Sequence, residues 1–230
     1  MPEPSSSSSI WVIVPAYNES RSIGDVVSKL RDTGHKIVVV DDGSGDQTGR
    51  AAADAGASVL RHLINLGQGA ALQTGIDCAL LWGAEYLVTF DADGQHEVGD
   101  IERMLVALNA SGADFALGSR FLENVSDIPR ARKILLRAAI LFTRLTTGLK
   151  VTDAHNGLRA LTRRGASSIR LRQNRMAHAS EILHQIARSD LRYTEVPVKI
   201  KYTDYSIAKG QKSSNAISIL LDLVAGAISR

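Results

Sequence analysis

The sequence is short of the features that mark several protein classes. It has one cysteine, Cys78, in 230 residues, which excludes a disulfide-stapled fold and fits a reducing compartment. It has no uninterrupted apolar run long enough to cross a bilayer. Its net charge of +3 is too small to indicate a nucleic-acid binder, so no nucleic-acid partner is expected. The remaining composition is that of a globular protein with one main domain.

The chain divides into three parts by composition. The first, 1–9, is Ser-rich and lacks the basic and apolar segments of a signal peptide, so we expect a disordered lead-in and a cytoplasmic protein. The main domain is expected over 10–203. The last part, 204–230, is predicted to be a flexible segment followed by a C-terminal amphipathic helix.

Buried strands and helices alternate through the first half of the main domain. Apolar, β-branched runs at Ile10–Val14, Ile37–Val40 and Tyr86–Phe90 each end in a polar turn and are followed by a helical pattern. This order predicts an α/β fold, a mostly parallel sheet with helices on both faces. We expect Pro15 to end the first strand, because proline cannot continue a central strand.

The second half combines helices with further strands. A long helix is predicted over 129–149, strands over 157–162 and 193–202, and a helix over 179–187. The long helix has a basic stripe beside an apolar face. The stripe is made of Arg130, Lys133, Arg137 and Arg144. The apolar face is made of Ile134, Ala138, Leu141, Phe142 and Leu145. Such a helix fits either core packing or peripheral contact with a membrane.

Polar side chains gather where the predicted strands end. The set is Tyr17, Asn18, Glu19, Asp41, Asp42, Asp91 and Asp93. In parallel sheets these positions meet at one edge, which is where open α/β sheets bind ligands. Asp91 and Asp93 are two residues apart, so their carboxylates can converge, and a hard divalent cation between them is expected. Gln95 could add a neutral oxygen ligand.

Two common nucleotide-binding designs are absent. No G-x-G-x-x-G follows the first strand, and no G-x-x-x-x-G-K-[ST] occurs in the chain. The loop from Asn65 to Gly69 has two glycines and is at most a weak signal for phosphate binding. Acids at the sheet edge suit ribose hydroxyls, base N–H groups and a metal that bridges to a diphosphate. This combination indicates a nucleotide-sugar site.

Five motifs in this order resemble one family. They are Pro-Ala-Tyr-Asn-Glu at 15–19, Val-Asp-Asp-Gly-Ser at 40–44, Asn-Leu-Gly-Gln-Gly at 65–69, Asp-Ala-Asp-Gly-Gln at 91–95 and Gly-Ser-Arg-Phe at 118–121. The chain is similar to the GT-A glycosyltransferases of family 2, above all to the polyprenol-phosphate (dolichol-phosphate mannose synthase-like) group. The resemblance implies a Rossmann-like GT-A domain and an inverting transferase that uses a UDP- or GDP-sugar with Mg²⁺ or Mn²⁺.

The resemblance also implies roles for individual residues. Pro15, Tyr17, Glu19, Asp42, Gly69 and Asp91 would bind the nucleotide sugar, with Asp41 as the alternative base-contacting acid, and Lys209 would reach the diphosphate. Asp91, Asp93 and Gln95 would hold the metal. Arg120 and Arg132 would bind the phosphate of a polyprenyl-phosphate acceptor, and Glu181 would lie near the acceptor. Asp93, Asp153 and Arg120 are the predicted catalytic residues.

The acceptor decides whether a general base is needed. A lipid phosphate is already ionised, whereas a sugar hydroxyl needs a base, for which Asp153 and Glu181 are the candidates. We favour transfer to polyprenyl phosphate at the cytoplasmic membrane face. The alternatives are a soluble glycosyltransferase that extends a cell-surface glycan, and a nucleotide-sugar-binding regulatory protein without turnover. The sequence leaves the sugar and a homo-oligomeric state open.

Overall fold

The structure is a computed structural model that describes residues 9–123, 130–173 and 177–201; the side chains of 130–132, 135 and 177 are outside that description. Its elements in chain order are β1 Ile10–Ala16, α1 Ile23–Arg31, β2 Lys36–Asp41, α2 Thr48–Asp54, β3 Ser58–Arg61, α3 Gln68–Leu81, β4 Tyr86–Thr89, α4 Asp100–Ser111, β5 Phe115–Ser119, α5 Arg130–Thr147, β6 Arg159–Thr162, α6 Arg163–Ser168, α7 Ala177–Ala187 and β7 Tyr193–Pro197. The predicted lead-in (residues 1–8 of it), the C-terminal helix and Lys209 lie outside the described residues.

The strands form one sheet in the order β3-β2-β1-β4-β6-β5-β7. All pairs are parallel except those of β6, which runs antiparallel between β4 and β5. The predicted α/β class, with a mostly parallel sheet, is therefore confirmed. The antiparallel strand matters for the site, because its amino end lies at the same edge as the carboxyl ends of β1, β2, β4 and β5.

Two apolar layers cover the faces of the sheet. Alternate residues of β1 point to opposite layers, Val12 and Val14 to one and Trp11 and Ile13 to the other. The first layer is completed by α1, α2 and α4, and the second by α3, α5, α6 and α7. Helices on both faces of the sheet leave its edge open, and the polar turns lie on that edge.

Pro15 does not end the first strand, contrary to the expectation from sequence. It lies inside β1 and is in register with Val40 of β2. The pairing of β1 with β4 stops at Ile13, so the last residues of β1 are bordered by a strand on one side only. Proline is tolerated there because one side of the strand needs no donor.

The outward surface of α5 is apolar in part. Ala139, Ile140 and Thr143 lie on the buried side of the helix. Ile134, Leu141 and Leu145 are 71%, 59% and 78% exposed. The apolar face predicted from sequence therefore differs from the side that the helix buries, and most of its residues are exposed. Within the described part of the chain, no helix combines the length and hydrophobicity that crossing a bilayer requires.

Candidate active site

A cavity of about 520 Å³ opens at the sheet edge where the polar turns meet. Of the residues predicted from sequence, it is lined by Pro15, Tyr17, Glu19, Asp42, Asp91, Asp93, Gln95 and Arg120. Asp41, Gly69, Asp153 and Glu181 are not among the residues that line it. The topology therefore brings together side chains from turns that are up to about a hundred residues apart in the chain.

The turns after β1 and β2 are bonded to each other. The backbone N–H groups of Asn18 and Glu19 donate to Ser44 Oγ at 3.0 Å and to Thr48 Oγ1 at 2.8 Å. In return, the N–H of Gly45 donates to Asn18 Oδ1 at 2.9 Å. Asn18 has a φ of 53°, a left-handed conformation that asparagine tolerates better than most residues. These bonds fix Tyr17 and Glu19 relative to the acids after β2.

The neighbouring acids Asp41 and Asp42 have different surroundings. Asp41 is fully buried, accepts a hydrogen bond from the N–H of Ser44 and lies 3.7 Å from Arg61 Nε. Asp42 faces the cavity. Its carboxylate accepts bonds from the N–H groups of Leu66 and Gly67 at 2.9 and 2.7 Å and contacts His62 Nδ1 at 2.7 Å. Of the two acids, only Asp42 lines the cavity, and it also organises the Gly-rich loop.

Gly69 has a packing role in the first turn of α3. A Cβ at this position would overlap the carbonyl oxygen of Gln173 and would lie 3.1 Å from His178 Cβ. Glu181 supports the opposing segment by accepting bonds from the N–H groups of Arg172 and Gln173 at 2.9–3.1 Å. The two residues thus hold α3 and the segment before α7 close together beside the cavity.

The turn after β4 presents two carboxylates to the cavity. Asp91 accepts a bond from Gln68 Nε2 at 3.3 Å and contacts His96 Nε2 at 3.0 Å. Asp93 accepts a bond from the N–H of Gln95 at 3.0 Å, which closes the turn. Gly157 lies against this turn, and a Cβ there would overlap the Asp91 carboxylate.

The two carboxylates affect each other's ionisation. Burial raises the pKa of Asp91, but the hydrogen bond from His96 and nearby positive charges outweigh burial and lower it overall. Burial and the charge of Asp91 together raise the pKa of Asp93 to about 6. These two neighbouring carboxylates repel each other when both are ionised, and a bound cation would relieve that repulsion.

The donor set of this turn fits Mg²⁺ or Mn²⁺. Asp91, Asp93 and Gln95 line the same cavity and offer oxygen ligands. Among residues 9–123, 130–173 and 177–201 there is no group of three or more His, Cys, Asp or Glu side chains arranged to hold a metal. That is compatible with magnesium chemistry, because Mg²⁺ is usually held by one or two carboxylates together with substrate phosphates and waters.

Arg120 and Asp153 form a buried ion pair at the end of β5. Arg120 Nε and Nη2 donate to Asp153 Oδ2 and Oδ1 at 2.6 and 2.9 Å, and the side chains are 6% and 0% exposed. Burial opposes ionisation of Asp153, yet the charge of Arg120 outweighs it and holds the pKa of Asp153 below its ordinary value. Both oxygens of the predicted base are therefore engaged by the predicted phosphate-binding arginine.

Several cavity residues were not among the site residues predicted from sequence, where His155 and His178 were interpreted as polar loop or packing residues. His155, Asn156, Gly157 and Arg159 reach the site because β6 is antiparallel, which brings the segment before it to the sheet edge. His178 joins them from α7. The sequence feature that could have indicated this segment was Arg159 itself, a charged residue at the start of a short strand. The side chain of Arg132 is outside the described residues.

Comparison with known proteins identifies related sequences and folds. The model of glycosyl transferase family 2 matches residues 11–170. A UDP-N-acetylglucosamine–dolichyl-phosphate N-acetylglucosaminyltransferase of Methanococcus voltae is 33% identical over 87% of this chain and 89% of its own length. An undecaprenyl-phosphate mannosyltransferase of Micrococcus luteus is 32% identical over 82% of each chain. A crystal structure of glucosyl-3-phosphoglycerate synthase from Mycobacterium tuberculosis, with Mn²⁺ and UDP-glucose, shares the fold with a TM-score of 0.71 at 19% identity, over 94% of this chain and 79% of that one.

Proposed function

The chain belongs to glycosyl transferase family 2 and is a glycosyltransferase, and we propose that it moves a sugar from a UDP- or GDP-sugar to a polyprenyl phosphate. Two relatives that align over most of this chain are named for transfer to dolichyl or undecaprenyl phosphate. Those names support the acceptor class proposed here, and the donor is proposed from the acids that line the cavity.

The distribution of charge in the cavity supports separate places for the two substrates. The acidic residues follow β1, β2 and β4, where His96 also lies, whereas Arg120, His155, Arg159 and His178 lie near β5 and β6 and on α7. The acidic part suits a nucleoside and a metal, and the cationic part suits a phosphate. We place the donor along β1, β2 and β4 and the acceptor phosphate by β5 and β6.

The Arg120–Asp153 ion pair carries the proposal for the acceptor. Asp153 and Glu181 are the acids that a hydroxyl acceptor could use as a base. Both oxygens of Asp153 are bonded to Arg120, and both oxygens of Glu181 accept bonds from the backbone N–H groups of Arg172 and Gln173. Among the described residues, the carboxylates that do line the cavity are on the donor side. A phosphate acceptor is ionised at neutral pH and needs no base, so this arrangement favours a lipid phosphate over a sugar hydroxyl.

The proposed mechanism is a direct displacement with inversion at the anomeric carbon. Asp91, Asp93 and Gln95 would hold Mg²⁺ or Mn²⁺, which when bound neutralises charge on the departing diphosphate. Tyr17, Glu19 and Asp42 would fix the nucleoside. The remaining task of the protein is to align the acceptor oxygen with the anomeric carbon, and positioning of this kind can lower the barrier by about 7–11 kcal/mol. Lys209 and Arg132 keep their proposed contacts with the diphosphate and the acceptor phosphate.

We propose peripheral contact with the cytoplasmic face of a membrane through α5. Ile134, Leu141 and Leu145 form an exposed apolar stripe on this helix, and Arg137 is exposed beside it. An amphipathic helix with basic residues next to its apolar side binds anionic lipid surfaces. This contact would bring the cavity near the head groups of a lipid acceptor.

A lipid-transfer assay tests the proposed function. The protein is incubated with Mn²⁺, labelled UDP-N-acetylglucosamine, UDP-glucose or GDP-mannose, and undecaprenyl phosphate, with undecaprenol as the matched acceptor lacking the phosphate. We expect a labelled lipid from one donor with undecaprenyl phosphate and none with undecaprenol. In a parallel incubation with an oligosaccharide in place of the lipid, a labelled oligosaccharide, with no labelled lipid in the first incubation, would instead establish a hydroxyl acceptor. A thermal-shift screen of the same donors with and without Mn²⁺ would identify the donor, because a ligand stabilises the native state according to its affinity.

A further inference from the structure

Besides His96 Nδ1, two buried side-chain nitrogens in the cavity wall, both hydrogen-bond donors, have no partner among the described residues. They are Nδ2 of Asn156 and Nη1 of Arg159, in side chains that are 5% and 3% exposed. Both residues line the cavity. An unsatisfied buried donor costs about 1–3 kcal/mol, and most buried polar groups avoid that cost. Two such donors three residues apart therefore indicate a ligand that supplies the missing acceptor.

The orientation of the Asn156 amide is fixed by its surroundings. Its Oδ1 accepts a hydrogen bond from the N–H of Leu158 at 2.9 Å. If the amide were reversed, its NH₂ group would face another N–H group. The free end of Asn156 is therefore a donor, which a ligand oxygen would satisfy.

Arg159 brings a buried positive charge to the same segment. It lies at the start of β6, in register with Thr89 of β4 and Leu117 of β5. Burial lowers the pKa of Arg159 to about 10, and the charges of Asp91 and Asp153 oppose that change, so the guanidinium is protonated at neutral pH. A protonated guanidinium offers donors only.

The segment between these two residues touches the acid proposed to hold the metal. Gly157 packs against the Asp91 carboxylate so closely that a Cβ would overlap it. Thr89 Oγ1 donates to the carbonyl oxygen of Gly157 at 2.6 Å, which ties the segment to β4. Any group bound near Asp91 is consequently close to this segment.

We propose that Asn156 Nδ2 and Arg159 Nη1 form an anion subsite in the cavity wall that binds a phosphate oxygen. Two donors and one fixed positive charge match an anionic oxygen better than a sugar hydroxyl, which also needs an acceptor. The phosphate belongs either to the donor's diphosphate or to the acceptor, and this assignment rests on the proposed function. Arg120 lines the same cavity, with its Nε and Nη2 bonded to Asp153.

Binding measurements on conservative variants test the subsite. Arg159→Lys keeps the charge and removes the directed Nη1 donor. Asn156→Asp keeps the oxygen that accepts from Leu158 and replaces the free donor with an oxygen. Arg163→Lys and Asn109→Asp are the matched controls, because Arg163 donates to the backbone carbonyls of Leu80 and Ala84 and Asn109 accepts from Tyr86 on the exposed surface of α4.

Each variant is titrated by calorimetry with four probes, after thermal melting has shown that it is folded. The probes are inorganic pyrophosphate, UDP and GDP with Mn²⁺, and farnesyl phosphate, with uridine and farnesol as their matches without phosphate. We expect both subsite variants to weaken at least one phosphate probe by about tenfold or more, with the control variants and the probes without phosphate unchanged. Loss confined to the nucleotides would assign the subsite to the donor, and loss confined to farnesyl phosphate would assign it to the acceptor.

Wild-type affinity for every probe in both subsite variants would overturn the subsite and leave the two donors to a buried water. A wild-type protein that binds none of the phosphate probes would overturn it as well. The proposed function fails separately: pyrophosphate binding that depends on Arg159, in a protein that makes no lipid-linked sugar, would refute the acceptor and keep the subsite. Formation of lipid-linked sugar with unaltered binding in both variants would refute the subsite and keep the proposed acceptor.

Discussion

Replacing Asp153 with asparagine separates the two roles that its position allows. The carboxylate is fully buried and bonded through both oxygens to Arg120, whose side chain is 6% exposed. Asp153→Asn preserves the shape of the side chain and removes its charge. If Asp153 holds Arg120 in place, the main effect is on stability; if Asp153 is a general base, the main effect is on the rate.

The expected loss of stability is large for a single polar substitution. Removing one member of a buried ion pair typically costs about 3–5 kcal/mol, because the other charge stays buried without compensation. For a protein of this size, 1 kcal/mol shifts the melting temperature by about 2–4 °C, so we expect a decrease of roughly 6–20 °C. Arg120→Met combined with Asp153→Leu should recover much of that loss, because well-packed apolar pairs often replace buried ion pairs at little cost.

The pH dependence of this penalty has a definite sign. The pKa of Asp153 is lowered in the folded protein, so the unfolded chain takes up the proton first as the pH falls. The stability that the charge contributes is complete above the ordinary pKa of about 4 and is lost as the pH falls through the lower folded value. The difference between wild type and Asp153→Asn should be constant from pH 8 to pH 5 and shrink below pH 4.

Calorimetric melting and lipid-transfer rates, measured on the same preparations below their melting temperatures, check both expectations. We expect the folded variant to keep transfer to undecaprenyl phosphate within about tenfold of wild type. Removing a general base would instead slow transfer by about 10²–10⁴-fold. A variant with wild-type stability and such a loss of rate would refute the role given to the ion pair and restore Asp153 as the base.

Three further predictions concern the same cavity. Asp93→Ala should melt at least as high as wild type, because it removes the repulsion that raises the pKa of that carboxyl to about 6. Its Mn²⁺-dependent transfer should fall more than 100-fold, and EDTA should have the same effect on wild type. Full activity of the variant would refute the metal proposal. Gly157→Ala should lower the melting temperature and Mn²⁺ affinity together, since its Cβ overlaps the Asp91 carboxylate, whereas Gly99→Ala, which meets nothing within 4 Å, should change neither. Burial lowers the pKa of His155 to about 4, so between pH 6.5 and pH 4 the unfolded chain binds a proton that the folded protein does not bind. Wild type should therefore lose about 3 kcal/mol of stability over that interval, at about 1.4 kcal/mol per pKa unit. Denaturant titrations of His155→Gln should show a correspondingly flatter pH dependence.

The parts of the fold that depend on local pattern were predictable from sequence. β1, β2 and β4 are continuous apolar runs, and the acids that follow them fall at one sheet edge whenever the strands are parallel. The acidic lining of the cavity follows from that rule. The family identification rests on the same local motifs, and the match of the family model over residues 11–170 confirms it.

The parts that depend on distant pairing were not predictable. The local sequence of Arg159–Thr162 does not predict that this strand lies between β4 and β5 and runs antiparallel to them. The cationic wall of the cavity follows from that placement. The bond between Arg120 and Asp153 joins residues 33 positions apart. The short α6, Arg163–Ser168, was missed because six small and charged residues carry no apolar periodicity.

If the nucleoside binds between the turn after β1 and the turn after β2, as proposed, the hydrogen bonds that join these turns have a consequence for the evolution and engineering of donor choice. Asn18 and Glu19 in one turn and Ser44, Gly45 and Thr48 in the other exchange three hydrogen bonds, so neither turn can take a new shape alone. A chimera that imports only one of these turns from a relative with a different nucleotide should fold poorly. Exchange of both as a pair is the combination that could transplant a preference, and substitutions within them should be strongly epistatic.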